Sequence, residues 1–395
     1  MLSYIRDLDD DSKKVFRVVL NNPLLTKNSI MQKTGLTLST LNRVMKPLLD
    51  RNLVVPAGID ESTGGRKPLL YDVNPGMCYL LGIDISRSYT DLVLSNMKMD
   101  ILAKRRFTMD ETYLPDRTVS KIASCFEDML SEAGLDKRDI LGAGLGAVGP
   151  LDREKGVLIN PDSFLAPGWS DVRICDMLHK QLGLTVRIDN GANCAVLLES
   201  KFGYGKDYRN VAYFNCGIGL RTGVINNGNI IRTMNNIEDA FGHMTVDIDG
   251  EKCHCGNYGC VEVYSSAAGI VKKYVSEVKK GRKSINKPLE KIGFIDICEA
   301  ADEGDELSRE VIIHAALVLG TGLANFMNLF NPDIIILSGP LNKHSSLYYE
   351  IASEHALKKS YLGDTSILFK RLGYFGDHAI SLGAAAMFLQ ELLAQ

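Results

Sequence analysis

The feature that most constrains this chain is a cluster of soft metal ligands late in the sequence. His243 is followed ten residues later by Cys253-His254-Cys255-Gly256-Asn257-Tyr258-Gly259-Cys260. One imidazole and three thiolates, with glycines between them to permit tight turns, suit a tetrahedral zinc ion closed on all four positions. His243, Cys253, Cys255 and Cys260 are the expected ligands, with His254 as an alternative imidazole. A closed site is structural rather than catalytic, and such a metal contributes on the order of 10 kcal/mol to local folding. The other six cysteines (Cys78, Cys125, Cys175, Cys194, Cys216 and Cys298) are scattered and read as ordinary semi-buried thiols. The polar opening stretch, residues 3–14, carries no apolar signal region, and no uninterrupted apolar run approaches 18 residues. The chain therefore reads as cytoplasmic, without disulfides or membrane contact.

A length of 395 residues exceeds what one hydrophobic core usually supports, so two or three domains are expected. From residue 76 onward, apolar strand runs alternate with helical patterns. Residues 79–85, 90–94 and 101–107 read as a meander, followed by helix 117–134, strand 141–148, helix 170–182, strand 185–188 and helix 192–202. That alternation argues an α/β body. Strand 211–215 then enters Gly217-Ile218-Gly219-Leu220-Arg221-Thr222-Gly223, a Gly-rich loop that could cradle a phosphate or serve as a tight hairpin.

The first seventy-five residues differ in character. Between residues 12 and 71 lie ten Lys or Arg against three acids, a balance of +7 in a chain whose net charge is −3. A basic module on an acidic body is the footprint of a domain that docks on nucleic acid. Asp11 or Ser12 can cap a first helix carrying Val15, Phe16, Val19 and Leu20 on one side. Thr26 can cap a second helix ended by Gly35, and Thr37 or Ser39 a third that runs to Asn52. This is a helix-turn-helix pattern, whose last helix would present Ser39, Thr40, Asn42, Arg43 and Lys46 to bases or phosphates. Residues 53–55 and 69–71 then read as a hairpin, a wing with Arg66 and Lys67 near its tip and suited to a minor groove.

The string CxCGxxGCxE at residues 253–262, preceded by Gly242-His243, resembles the ROK family of repressors, open reading frames and sugar kinases. Asp189-Asn190-Gly191-Ala192-Asn193, the Gly-rich loop and the helix-turn-helix agree with that resemblance. It implies an α/β chain: an N-terminal winged helix-turn-helix, then a two-lobed actin-like, hexokinase-like (ribonuclease H-like) body that forms homodimers or homotetramers. The expected divisions are 1–75 for the winged helix, 76–199 for the first lobe completed by helix 378–395, and 200–377 for the second lobe with the zinc site. Asn190, His243 and Glu262 match sugar contacts of the family, His243 touching sugar with one nitrogen and zinc with the other.

The departures from the family point away from catalysis. Its phosphate turn of DxGGT type is replaced by Asp84-Ile85-Ser86-Arg87-Ser88-Tyr89, and bulky side chains there deny close backbone approach. Gly191 stands where the family has its catalytic Asp and offers nothing to accept a proton. Arg221 replaces a glycine of the second phosphate loop, Ala240 replaces a sugar-gripping Glu, and the adenosine turn is thinned to Ser338-Gly339-Pro340. Phosphate binding, base chemistry and nucleotide contact are separate parts of phosphoryl transfer, and all three are damaged. The sequence thus leads to a repressor of carbohydrate genes that binds double-stranded operator DNA, responds to a sugar or sugar phosphate and is not an enzyme. An active sugar kinase, or a regulator controlled by a protein partner, is the alternative.

Overall fold

Asp9 starts the first helix. Its Oδ1 accepts the Ser12 N–H at 2.7 Å, and α1 (Asp10–Asn21) buries Val15, Phe16, Val19 and Leu20 beneath it. The cap thus sits two residues before Asp11 and three before Ser12, the two expected caps, because Ser12 turns its own hydroxyl inward to the Val44 carbonyl at 3.3 Å. This computed structural model describes residues 5, 7–60, 67–161, 164–232, 240–361 and 366–394. β1 (Leu25–Thr26) leads into α2 (Lys27–Thr34), capped by Thr26 and closed by Gly35 in the left-handed conformation at φ 71°. Thr37 caps α3 (Leu38–Asp50), whose inner face carries Leu41, Val44, Met45 and Leu48. β2 (Val54–Ile59) and β3 (Leu69–Val73) form the hairpin, and β1 adds to β3 to give the order β1-β3-β2.

The chain divides into two compact units, residues 1–194 with 380–395, and residues 195–379. In the first, β4 (Tyr79–Ile85), β5 (Tyr89–Asn96) and β6 (Ile101–Thr108) make the antiparallel meander, and α4 (Pro115–Ala133) covers it. β7 (Ile140–Ala147) adds parallel to β4. A small hairpin, β8 (Leu151–Asp152) with β9 (Val157–Leu158), α5 (Ile174–Leu182) and β10 (Val186–Asn190) follow, giving the order β10-β7-β4-β5-β6. α5 starts later than its sequence pattern because Val172 is held in a bridge to Leu158. α6 (Gly191–Phe202) follows β10 directly.

In the second unit β11 (Val211–Cys216), β12 (Leu220–Asn226) and β13 (Asn229–Ile230) are antiparallel neighbours. α7 (Val261–Ser265), α8 (Ala267–Lys279), α9 (Phe294–Asp302) and α10 (Glu306–Phe330) precede β14 (Ile334–Ser338). α11 (Pro340–His344), α12 (Ser346–Lys359) and β15 (Leu368–Arg371) complete the sheet β13-β12-β11-β14-β15. α10 is long and apolar enough to cross a bilayer by length and composition, yet 61% of that stretch is buried as the core helix of this unit. Leu319, Leu323, Phe326 and Met327 pack there with Phe214, Leu337 and Ala352. The C-terminal α13 (Ala379–Ala394) returns to the first unit and lies directly on its sheet. A Cβ at Gly82 or Gly144 would fall 2.0 or 1.8 Å from the carbonyl oxygens of Ser381 and Ala384.

Candidate functional site

The outward face of α3 is built by subtraction. Leu41, Val44, Met45 and Leu48 face the small core, so Ser39, Asn42, Arg43 and Lys46 are left exposed and Thr40 half-buried. Lys27 donates to Asn42 Oδ1 at 2.6 Å, linking α2 to α3. Arg43 lies 3.4 Å from Asp9 and 3.6 Å from Asp11, an exposed pair worth little in water. The basic window read from the sequence therefore has an acidic neighbour in Asp7, Asp9, Asp10 and Asp11, which draws Arg43 toward α1. Of the two wing-tip residues, Lys67 is exposed and Arg66 lies outside the described residues.

In the first unit Asn190 ends β10, is 2% exposed and accepts the Ala192 N–H at 2.8 Å. Gly191 is the first residue of α6. Asp189 is fully buried and committed. Its Oδ1 accepts from the Asn190 N–H at 2.7 Å and from Asn193 Nδ2 at 3.2 Å, and its Oδ2 lies 3.2 Å from Arg153 Nε. Arg153 also donates to Glu391 of α13 at 2.5 Å. The Arg153 partnership was not foreseen, since residues 36 positions apart leave no periodic trace. A carboxylate so engaged holds the turn that precedes α6.

In the second unit the Cys-rich loop folds back on itself. His243 ends a short 3₁₀ turn, and the Val246 N–H donates to the Gly259 carbonyl while the Val261 N–H donates to Met244. Gly256 and Gly259 sit at φ 93° and 66°, and a Cβ at Gly259 would meet the Asp247 carbonyl at 1.6 Å. One donor atom each from His243, Cys253, Cys255 and Cys260 lies within 4.8 Å of all the others. Cys255 Sγ is 3.7 Å from Cys260 Sγ, and His243 Nδ1 is 3.6 Å from Cys253 Sγ. A metal–sulfur bond of about 2.3 Å sets a tetrahedral edge of roughly 3.8 Å, so the donor set fits a tetrahedral ion. Burial pushes the Cys260 thiol up to about 12, and hydrogen bonds with its two neighbours add to the effect. Burial also raises Cys253. At Cys255 burial acts upward as well, but the Asn257 N–H and hydrogen bonds with Cys253 and Cys260 outweigh it and lower the thiol. A bound cation supplies the charge that these sulfurs need in order to ionise. The group can hold a metal ion.

Next to this group Glu262 is fixed on α7. Its Oε2 accepts the Leu220 N–H at 2.7 Å and its Oε1 lies 3.4 Å from His254 Nδ1. The structure thus brings His243 and Glu262 together in one unit and places Asn190 in the other. His254, the alternative imidazole of the sequence reading, has its Nδ1 3.4 Å from Glu262 Oε1 and 3.8 Å from Cys253 Sγ.

A profile of the ROK family matches residues 80–391. The xylose repressor of Caldicellulosiruptor bescii is 27% identical over 385 residues, covering 96% of this chain and 95% of that protein. The DNA-binding transcriptional dual regulator NagC of Escherichia coli is 23% identical over 391 residues, covering 97% of this chain and 93% of that one. Among solved structures, a ROK family transcriptional regulator described as a homologue of the Escherichia coli MLC protein superposes with a TM-score of 0.78. It is 22% identical and covers 99% of this chain and 100% of its own. A ROK family glucokinase from Streptomyces griseus, solved with glucose and AMPPNP, gives a TM-score of 0.66 at 23% identity, covering 78% of this chain and 98% of that one. The kinase stops short of the full length that the regulator spans, and on the strength of the profile the chain is a member of the ROK family.

Proposed function

We propose that this protein is a sugar-responsive transcriptional repressor: a winged helix-turn-helix head, residues 1–75, on a zinc-stabilised ROK body without kinase activity. The observation that carries the reading is the head itself, where among the described residues α1, α2 and α3 pack with the sheet β1-β3-β2 and α3 offers Ser39, Asn42, Arg43 and Lys46 to solvent. Full-length similarity to a xylose repressor and to NagC supports both the operator and the sugar side. Ser39, Thr40, Asn42, Arg43 and Lys46 would enter a major groove, and Arg66 and Lys67 of the wing the adjoining minor groove. The head binds as part of a cytoplasmic homo-oligomer on a palindromic operator.

Zinc is the ion assigned to His243, Cys253, Cys255 and Cys260, because three thiolates and an imidazole in a closed tetrahedron are its preferred set. When bound it supplies structural charge and a fixed loop. The loop in turn holds Glu262 beside Leu220. Asn190, His243 and Glu262 are the proposed sugar contacts.

A route from ligand to DNA head runs inside the first unit. Asn190 adjoins Asp189, Asp189 pairs with Arg153, and Arg153 pairs with Glu391 of α13. The neighbouring Gln390 donates to Asn21 at the end of α1 at 3.3 Å. A shift at Asn190 thus has a contiguous chain of polar contacts to the helix that backs α3. Kinase chemistry is disfavoured by Gly191 at the base position and by Asp189, whose oxygens are engaged with Arg153, Asn193 and backbone. The test is operator binding with and without sugars, alongside ATP turnover. Sugar-dependent release without turnover supports the reading, and turnover above background replaces it with the kinase.

A further inference from the structure

Lys27 opens α2, is half-buried and has its ammonium held at two places within the head. Its Nζ lies 5.8 Å from the centre of the Tyr71 ring on β3, within cation–π range. The ring is fixed in turn, since Tyr71 is 7% exposed and stands opposite Leu25 on one side and Pro56 on the other. The second hold is on α3, where Nζ donates to Asn42 Oδ1 at 2.6 Å, a charge-assisted bond between residues 15 positions apart. Asp9 and Asp11, the acids at the start of α1, are paired with Arg43.

An ammonium carries donors and no acceptor, so this contact settles the orientation of the Asn42 carboxamide. Oδ1 must face Lys27, and Nδ2 is the end left for another partner. Asn42 is exposed on the same side of α3 as Ser39, Arg43 and Lys46. A carboxamide offered by its NH2 alone presents two donors. In the major groove adenine shows one acceptor and one donor, which an asparagine with both ends free meets together. Guanine shows two acceptors, O6 and N7. An asparagine with its oxygen engaged elsewhere is thereby turned from adenine toward guanine.

We propose that Lys27 is a positioning residue that sets the base specificity of α3, holding Asn42 Oδ1 so that Asn42 selects guanine in place of adenine. The inference rests on the operator-binding reading and deepens it by naming one base that this face selects.

The experiment is selection from a random duplex pool by the full-length, metal-loaded protein, wild type and variants, with the affinity for the wild-type site measured across salt concentrations. The wild type should enrich a site with guanine at one position of each half, the position whose preference Asn42→Ala abolishes. Lys27→Met frees the amide oxygen and should change that position to adenine, leaving the others as they were. Lys27→Arg, again a donor without an acceptor, should keep guanine. In an Asn42→Ala background Lys27→Met should alter no base preference further. Adenine at that position in the wild type overturns the proposal, and so does a further change in that background. A phosphate contact by Lys27 would instead weaken all sequences alike and lower the salt slope by about one. That result, with guanine kept in Lys27→Met, overturns the proposal while leaving the operator reading intact. If Lys27→Met does not fold, Asn42→Asp keeps the bond to Lys27 but turns an acceptor outward, so guanine must give way to cytosine. Guanine retained in Asn42→Asp overturns the proposal as well. Enrichment of no sequence by the wild type overturns the operator reading, and this proposal with it.

Discussion

Cys260 is fully buried, with its thiol pushed up to about 12, so in the metal-free loop it stays protonated and contributes no ligand charge. Cys260→Ser is predicted to drop zinc from about one ion per chain to background by atomic emission, and to unfold the loop locally. Cys298→Ser, buried far from the ligand group in sequence, should keep its zinc. A second residue-scale prediction concerns Arg153. Removing it in Arg153→Met leaves Asp189 buried without its counterion and should destabilise the first unit by about 3 kcal/mol in denaturant titration. A change under roughly 0.5 kcal/mol would mean that the pair is incidental. At this scale the sequence was legible where ligands are close along the chain, as in the string from Cys253 to Cys260. It was not legible where partners come from afar, since Arg153 meets Glu391 across 238 positions and the burial of Arg221 depends on the whole sheet.

Elements were read well where caps and periodicity agree. Thr26 and Gly35 bound α2 as expected, and Thr37 starts α3. β1 escaped notice because two residues, Leu25 and Thr26, carry no alternation, and the small sheet completes itself only through pairing with β3. The start of α1 was misplaced for a similar reason: four acids in the five residues 7–11 all suit a cap, and packing of Ser12 against Val44 selects Asp9. That choice is testable. Hydrogen bonds from Ser12, chiefly, and the nearby Arg43 hold the Asp9 carboxyl below its ordinary value. A depressed folded pKa contributes stability that is present above the unfolded value and lost as pH falls through the folded one. Asp9→Ala should therefore cost about 1 kcal/mol in the thermal stability of the head at neutral pH. The difference should vanish as the pH falls below the ordinary aspartate range, and a cost that persists unchanged in acid would remove Asp9 as the cap. On the same element, Lys46→Ala should weaken operator binding by about 1–3 kcal/mol if it reaches DNA.

For the whole molecule, the α/β class follows from patterning, and the glycines of the first sheet let α13 return onto it. Coupling between ligand and DNA is a property of no single element. If the contacts through Arg153, Glu391, Gln390 and Asn21 carry it, Gln390→Ala should leave operator affinity and sugar binding individually near wild type. Sugar-induced release should fall, read as the ratio of operator affinities with and without sugar. The most direct test of the central claim is selection of DNA from a random duplex pool by the purified, metal-loaded protein, repeated with a panel of sugars and sugar phosphates. The account predicts enrichment of a palindromic site, lost in Asn42→Ala/Lys46→Ala, and its release by at least one member of the panel. Enrichment of no sequence over random duplex would contradict it.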